Sequence, residues 1–215
     1  LKASDEYKDC SLYFYDINGK IDWKINDANR LSLTFFNGKD VMVLNDFSDI
    51  NWGNTSLTLR LLHYYNSKLL SNTNLYFSSY NSYMNMSGLG IDYDQNGFIR
   101  HYGLNHNFKW FPTDKLQFNL GIQSALIDLC SAEWNIGAVH QKEERKAWEN
   151  SLWINSIWNP FSSLSLSAGL RLNSFSVLGG APYYNIENDR NITSTPHPSP
   201  THIVKTYTSL QPRTS

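Results

Sequence analysis

From Leu164 to Asn173 the chain alternates without a break: Leu164, Leu166, Ala168, Leu170 and Leu172 are interleaved with Ser165, Ser167, Gly169, Arg171 and Asn173. A period of two belongs to a β-strand, because successive side chains point to opposite faces, so one face here is apolar and the other polar. Five apolar residues over about ten positions match the height of a bilayer's hydrocarbon core crossed by a tilted strand. Residues 148–158 form the returning arm, joined through Asn159, Pro160, Phe161, Ser162 and Ser163. Proline fixes φ and asparagine tolerates turn geometry, so residues 147–177 read as a β-hairpin.

The rest of the chain repeats this unit. Strands are expected over residues 11–25, 30–37, 52–65, 69–83 and 97–111, then from Leu116 through Gln123, with a ninth beginning near Tyr207 and cut short. The clearest are Leu31, Leu33 and Phe35 against Arg30, Ser32 and Thr34, and Leu116, Phe118, Leu120 and Ile122 against Gln117, Asn119, Gly121 and Gln123. Connections alternate: short at residues 26–29, 66–68, 112–115 and 159–163, long over residues 38–50, 85–96, 128–145 and 178–205. Short turns on one side and long loops on the other are the pattern of an outer-membrane barrel. Trp23, Tyr64, Trp110 and Trp158 fall beside the short turns, as a periplasmic aromatic girdle would. The expected fold is all-β: an antiparallel up-and-down meander of eight to nine long strands, a segment of a transmembrane outer-membrane β-barrel.

Composition agrees, with 41% hydrophobic, 14% aromatic and 17% charged residues. A formal net charge of −1 gives no basic field for nucleic acid. No run approaches the 18 or so apolar residues of a membrane helix. The start at Leu1, Lys2, Ser4 and Asp5 has no signal-peptide pattern, and the stop just after the start of a strand favours a piece of something longer. Two other architectures fit the same strands: a complete eight-stranded barrel with an anchoring or adhesion role, and a soluble all-β carbohydrate-binding domain whose aromatics stack on sugars.

Motifs for chemistry are sparse. Asp92, Asp94, Asn96 and Gly97 match half of a calcium loop, but Gly103 stands where a bidentate Glu is needed, and a turn at Asn96 and Gly97 explains them better. The histidines lack metal spacing, Cys10 and Cys130 belong to distant strands, and no Ser–His pair is singled out for hydrolysis. No enzyme activity, cofactor or metal is expected.

Asn51, Trp52, Gly53, Asn54 and Thr55 leading to Leu59 and Arg60, then residues 68–73, resemble middle barrel strands of TonB-dependent outer-membrane receptors. Ala168, Gly169, Leu170, Arg171 and later Leu210, Gln211, Pro212, Arg213 resemble strands further along that family's barrel, with Gln211 where the pattern commonly has Glu. The resemblance implies that residues 1–215 are part of a large, 22-stranded type of barrel domain, without its plug. It implies uptake of a scarce solute, a siderophore, oligosaccharide or similar, across the bacterial outer membrane. The implied partners are outer-membrane lipid, the TonB system acting through the plug region, a substrate-binding surface lipoprotein and the solute. Asp16, Lys20, Asp22, Arg60, Gln117, Asn119, Gln123, Arg171 and Asn173 would then line the lumen. Trp134, His140, Tyr183 and Tyr184, on extracellular loops, are the candidates for solute contact.

Overall fold

The computed structural model describes residues 10–44, 47–88, 91–180, 183–187, 191–195 and 199–214, with the backbone alone at 88, 91, 183–187 and 191–195. Its strands are β1 (Cys10–Lys24), β2 (Asn29–Leu44), β3 (Ser48–Asn66), β4 (Leu69–Gly88), β5 (Ile91–Thr113), β6 (Leu116–Ile136), β7 (Val139–Phe161), β8 (Leu164–Leu178), β9 (Tyr183–Glu187), β10 (Asn191–Thr195) and β11 (Ile203–Thr214). β1 to β8 and then β11 form one nine-stranded sheet in chain order, while β9 and β10 pair as a separate hairpin. Every neighbouring pair is antiparallel.

The meander is as expected, but the long connections are not loops. Residues 38–44 continue β2, residues 128–136 continue β6, and residues 139–145 begin β7. Gly137, at φ 55°, makes the tight turn that joins β6 to β7. Asn96 and Gly97 lie inside β5 rather than in a turn, and the register shift there marks a bulge. Asp94, from the half calcium loop, accepts hydrogen bonds from Tyr83 Oη at 3.2 Å and Asn85 Nδ2 at 2.7 Å. The ninth strand, β11, pairs with β8 from Ile203 opposite Leu178 to Thr214 opposite Ala168.

The short turns are laced to one another. Ala28, Lys68 and Lys115 each offer a carbonyl, at 2.8 Å, to the backbone N–H of Tyr64, Phe111 and Asn159 in the next hairpin. Lys68 Nζ and Lys115 Nζ donate to the carbonyls of Pro112 and Pro160, each at 3.1 Å. A register shift sits at each junction, beside Tyr64, Trp110 and Trp158, where the strand bends away from the turn.

Two architectures are excluded by packing. A soluble domain needs a core, yet among the described residues the buried hydrophobic positions are Val41, Ala125, Cys130 and Leu178. Leu75, Leu152 and Leu172 are 50%, 56% and 48% exposed, so the sheet is a single layer with its leucines outward. A closed eight-stranded barrel needs β8 against β1, whereas β8 pairs with β11 and, among the described residues, β1 pairs with β2.

The register also carries a stagger. Following paired residues from Trp23 leads through Leu31, Leu61, Thr73, His106, Ile122 and Leu152 to Leu172. Trp23 is one residue from the end of β1, but Leu172 is eight residues from the start of β8. The turn side therefore slips by about one residue, roughly 3.3 Å, for each step of about 4.8 Å across the sheet. That slope is a strand tilt of about 35°, which is the tilt that barrel closure demands.

Candidate functional site

Along the middle of the sheet one face is polar on every strand. A single line of paired residues runs Asp22, Ser32, Arg60, Asn74, Asn105, Gln123, Ser151, Asn173 and Ser209. Asp16, Lys20, Gln117, Asn119 and Arg171 share this face with Asp22, Arg60, Gln123 and Asn173. Their side chains form local networks. Arg171 Nε donates to Asn173 Oδ1 at 2.7 Å and Nη2 to Ser151 Oγ at 2.9 Å and Gln123 Oε1 at 3.5 Å. Its guanidinium also lies 5.5 Å from the Trp153 ring centroid, so an aromatic face and three polar groups hold it in one pose. Arg60 donates to Asn72 at 2.6 Å, Arg30 to Asp22 at 3.0 Å, and Asn107 to Asn119 at 3.4 Å. Asn107 Oδ1 is buried on this face without a hydrogen-bond partner.

The opposite face carries a band of Ile21, Leu33, Leu59, Leu75 and Leu104 on β1 to β5, and of Leu120, Ile154 and Leu170 on β6 to β8. Trp23, Trp110 and Trp158 lie on this apolar face beside the short turns, and the Trp110 ring stacks on Phe118 at 5.4 Å. Tyr64 does not join them. It pairs with Leu70, which pairs with Lys109, and so lies on the polar face. Tyr65 lies on the apolar face instead, in step with Leu59 and Leu61, and its ring is 6.2 Å from Phe108. Nearness to the short turn, which singles out Tyr64, does not decide the face; alternation from Leu57, Leu59 and Leu61 points to Tyr65.

Beyond the row Tyr102, Leu126 and Trp148 the two faces exchange character. The face that is apolar below now carries Arg100, Asp128 and Lys146, then Tyr83, Asn96, Glu133 and Lys142. Burial pushes the Asp128 carboxyl up, and Asp128 Oδ1 has no hydrogen-bond partner. Glu144 feels the same burial, but hydrogen bonds from Lys142 and Lys146 hold its carboxyl below the ordinary value. The face that is polar below becomes apolar, with the paired line Leu12, Met42, Ile50, Met84, Gln95 and Trp134, and beyond it Leu44, Met86, Tyr93 and Ile136. Trp134 and His140 are therefore not brought together: Trp134 is on this inner apolar patch, while His140 is on the charged face, with Nδ1 2.6 Å from Asn135 Oδ1. The side chains of Tyr183 and Tyr184 lie outside the described residues.

No family model matches the chain, and no curated protein matches it. Solved structures do. The copper transporter OprC superposes with a TM-score of 0.68 at 13% identity, covering 94% of this chain and 34% of its own. BauA, the ferric preacinetobactin receptor from Acinetobacter baumannii, gives 0.65 at 10% identity, covering 98% of this chain and 38% of its own. Both are TonB-dependent receptors, and the chain spans little more than a third of the length of each. The chain has the fold of a stretch of wall from a bacterial outer-membrane β-barrel, as that wall is built in these receptors.

Proposed function

We propose that this chain is barrel wall from a TonB-dependent receptor that takes up a scarce solute across the bacterial outer membrane. The observation that carries the reading is the unbroken polar line from Asp22 to Ser209 on nine strands, backed by a band of exposed leucines. Lipid would cover the leucines, and the polar face, with Arg60, Gln123, Arg171 and Asn173, would line the lumen. Uptake would be driven by TonB pulling on a plug region, with a surface lipoprotein as a possible hand-over partner for a siderophore, oligosaccharide or similar cargo. OprC and BauA, by their names, handle copper and ferric preacinetobactin, which favours a metal-bearing cargo. In this reading the wall does no covalent chemistry. Cells expressing the parent protein, with and without TonB, are to be compared for accumulation of radiolabelled copper, ferric siderophore and maltooligosaccharide. A TonB-dependent gain in one of the three is expected; equal accumulation of all three in both strains would overturn the reading.

A further inference from the structure

Two cavities on the outward face lie one above the other. The lower, of about 530 Å³, is an apolar groove whose walls include Leu59, Leu75, Leu104, Phe77, Tyr102 and Trp148. Its Phe77 and Tyr102 rings lie 5.1 Å apart, and Trp148 Nε1 donates to Ser124 Oγ at 2.8 Å. The upper, of about 440 Å³, is polar, with Asn51, Asn81, Asn96 and Tyr83 around Phe98 and Arg100. Arg100 stands two residues beyond Tyr102 on β5, so the step from the groove to the upper cavity is about 7 Å along the strand.

That step falls at the edge of the bilayer. From Trp110 beside the short turn to Tyr102, β5 rises about 22 Å at a tilt of about 35°, close to the roughly 25 Å apolar band of an outer-membrane barrel. Arg100 stands about 27 Å up, where hydrocarbon gives way to headgroups. The short turns lie at the opposite end, so the leaflet is the outer one. Among the described residues Arg100 makes no hydrogen bond and no ion pair, although Asp128 stands directly opposite. Its guanidinium lies 4.1 Å from the Phe98 ring centroid, which covers one face and leaves the N–H donors of its edge open. The nearby lysines are engaged: Lys142 Nζ is 3.2 Å from Glu144 and 3.7 Å from Glu133, and Lys146 Nζ is 3.3 Å from Glu144. A free fork of donors therefore stands at the level of lipid phosphates, with an apolar groove below it and, above it, amides suited to sugar hydroxyls.

We infer that the two cavities form one binding site for a phosphorylated glycolipid of the outer leaflet, with an acyl chain in the groove, a phosphate on Arg100 and the sugar among Asn51, Asn81 and Asn96. A phospholipid without a sugar would leave the amides unused. The site needs the barrel wall and no cargo, so it stands apart from the uptake reading and its test involves no transport. The parent protein, delipidated in detergent, is titrated with bisphosphorylated lipid A, with dephosphorylated lipid A and with phosphatidylglycerol, and bound lipid is counted by native mass spectrometry. The wild type is expected to hold lipid A at least tenfold more tightly than the dephosphorylated form, which tests the site without any variant. Arg100→Gln, shown to be folded by heat modifiability on a gel, is expected to weaken lipid A binding at least tenfold and to leave the dephosphorylated form unchanged. Asn96→Ala is expected to weaken lipid A several-fold and to leave phosphatidylglycerol unchanged. Equal retention of lipid A by wild type and Arg100→Gln, or tighter retention of phosphatidylglycerol than of lipid A by the wild type, would overturn the assignment.

Discussion

Large side chains on the polar face lie flat because glycines face them. Tyr76 pairs with Gly103 and Trp153 with Gly121, and a Cβ built at either glycine would enter the facing ring. An overpacked contact of this kind typically costs about 1–3 kcal/mol. Gly103→Ala is therefore expected to destabilise the parent barrel by that amount, read as a lower urea midpoint at unchanged m, and Tyr76→Ala in the same molecule to restore much of it. Asp128 offers a test of the opposite sign. Burial raises its carboxyl above the unfolded value, so its favourable contribution is present when it is protonated and is lost as pH rises through the folded value. Asp128→Asn should therefore be more stable than the wild type at pH 7, and the gap should close as pH falls below about 4, where the unfolded carboxyl also holds its proton. Equal stability across that range would show that Lys146 and Arg100 compensate the charge fully. Neither site was legible in the sequence, because each depends on which residue a strand neighbour brings opposite.

At the scale of the strand, legibility followed polarity. Residues 116–123 and 164–173 were read correctly because one of their faces meets lipid and the other water. The upper parts of β2 and β6 lost the signal: Val41, Met42, Val43 and Leu44 are apolar on both faces, and residues 128–135 mix charges and hydrophobes on both. Above the bilayer neither face has a single solvent to match, so alternation fades although the hydrogen-bonded ladder continues. Turn chemistry was partly legible. The repeat of Trp110-Phe111-Pro112 and Trp158-Asn159-Pro160, each followed by its leucine strand, marks the lacing of the turns, but the lysine clasp needs the neighbouring hairpin to be seen. The assignment of faces has a direct check on β6. Leu120 lies in the apolar band and Asn119 beside it on the polar face. A cation on the lipid face near the bilayer midplane costs roughly 2–4 kcal/mol, against little on the other. Leu120→Arg is expected to lose that much in a folding titration into vesicles, with Asn119→Arg close to wild type.

The whole sheet poses a problem of parity. β1 runs from its long-connection end toward the short turns, and so does β11, the ninth strand of the sheet. Were these two edges to meet, they would pair in parallel, the one parallel seam in an otherwise antiparallel wall. Left unmet, each edge presents a row of unpaired N–H and C=O groups, and each such group costs several kcal/mol in hydrocarbon. Both edge strands are exposed along nearly their whole length. An odd number of further strands between β11 and β1 removes both difficulties, since an even total closes antiparallel. In the reading proposed above, those strands belong to the rest of a large receptor barrel. Closing nine strands at the stagger of about one residue per strand would displace the seam by about eight residues and bring Tyr13 of β1 to the level of Thr208 of β11, so a cysteine pair at Tyr13 and Thr208 is expected to stay uncrosslinked under oxidation in the parent protein. A control pair at Leu75 and Leu104, directly opposed on β4 and β5, should crosslink readily. An oxidised bond between residues 13 and 208 would instead mean that nine strands close on themselves, and the large-barrel architecture would have to be given up.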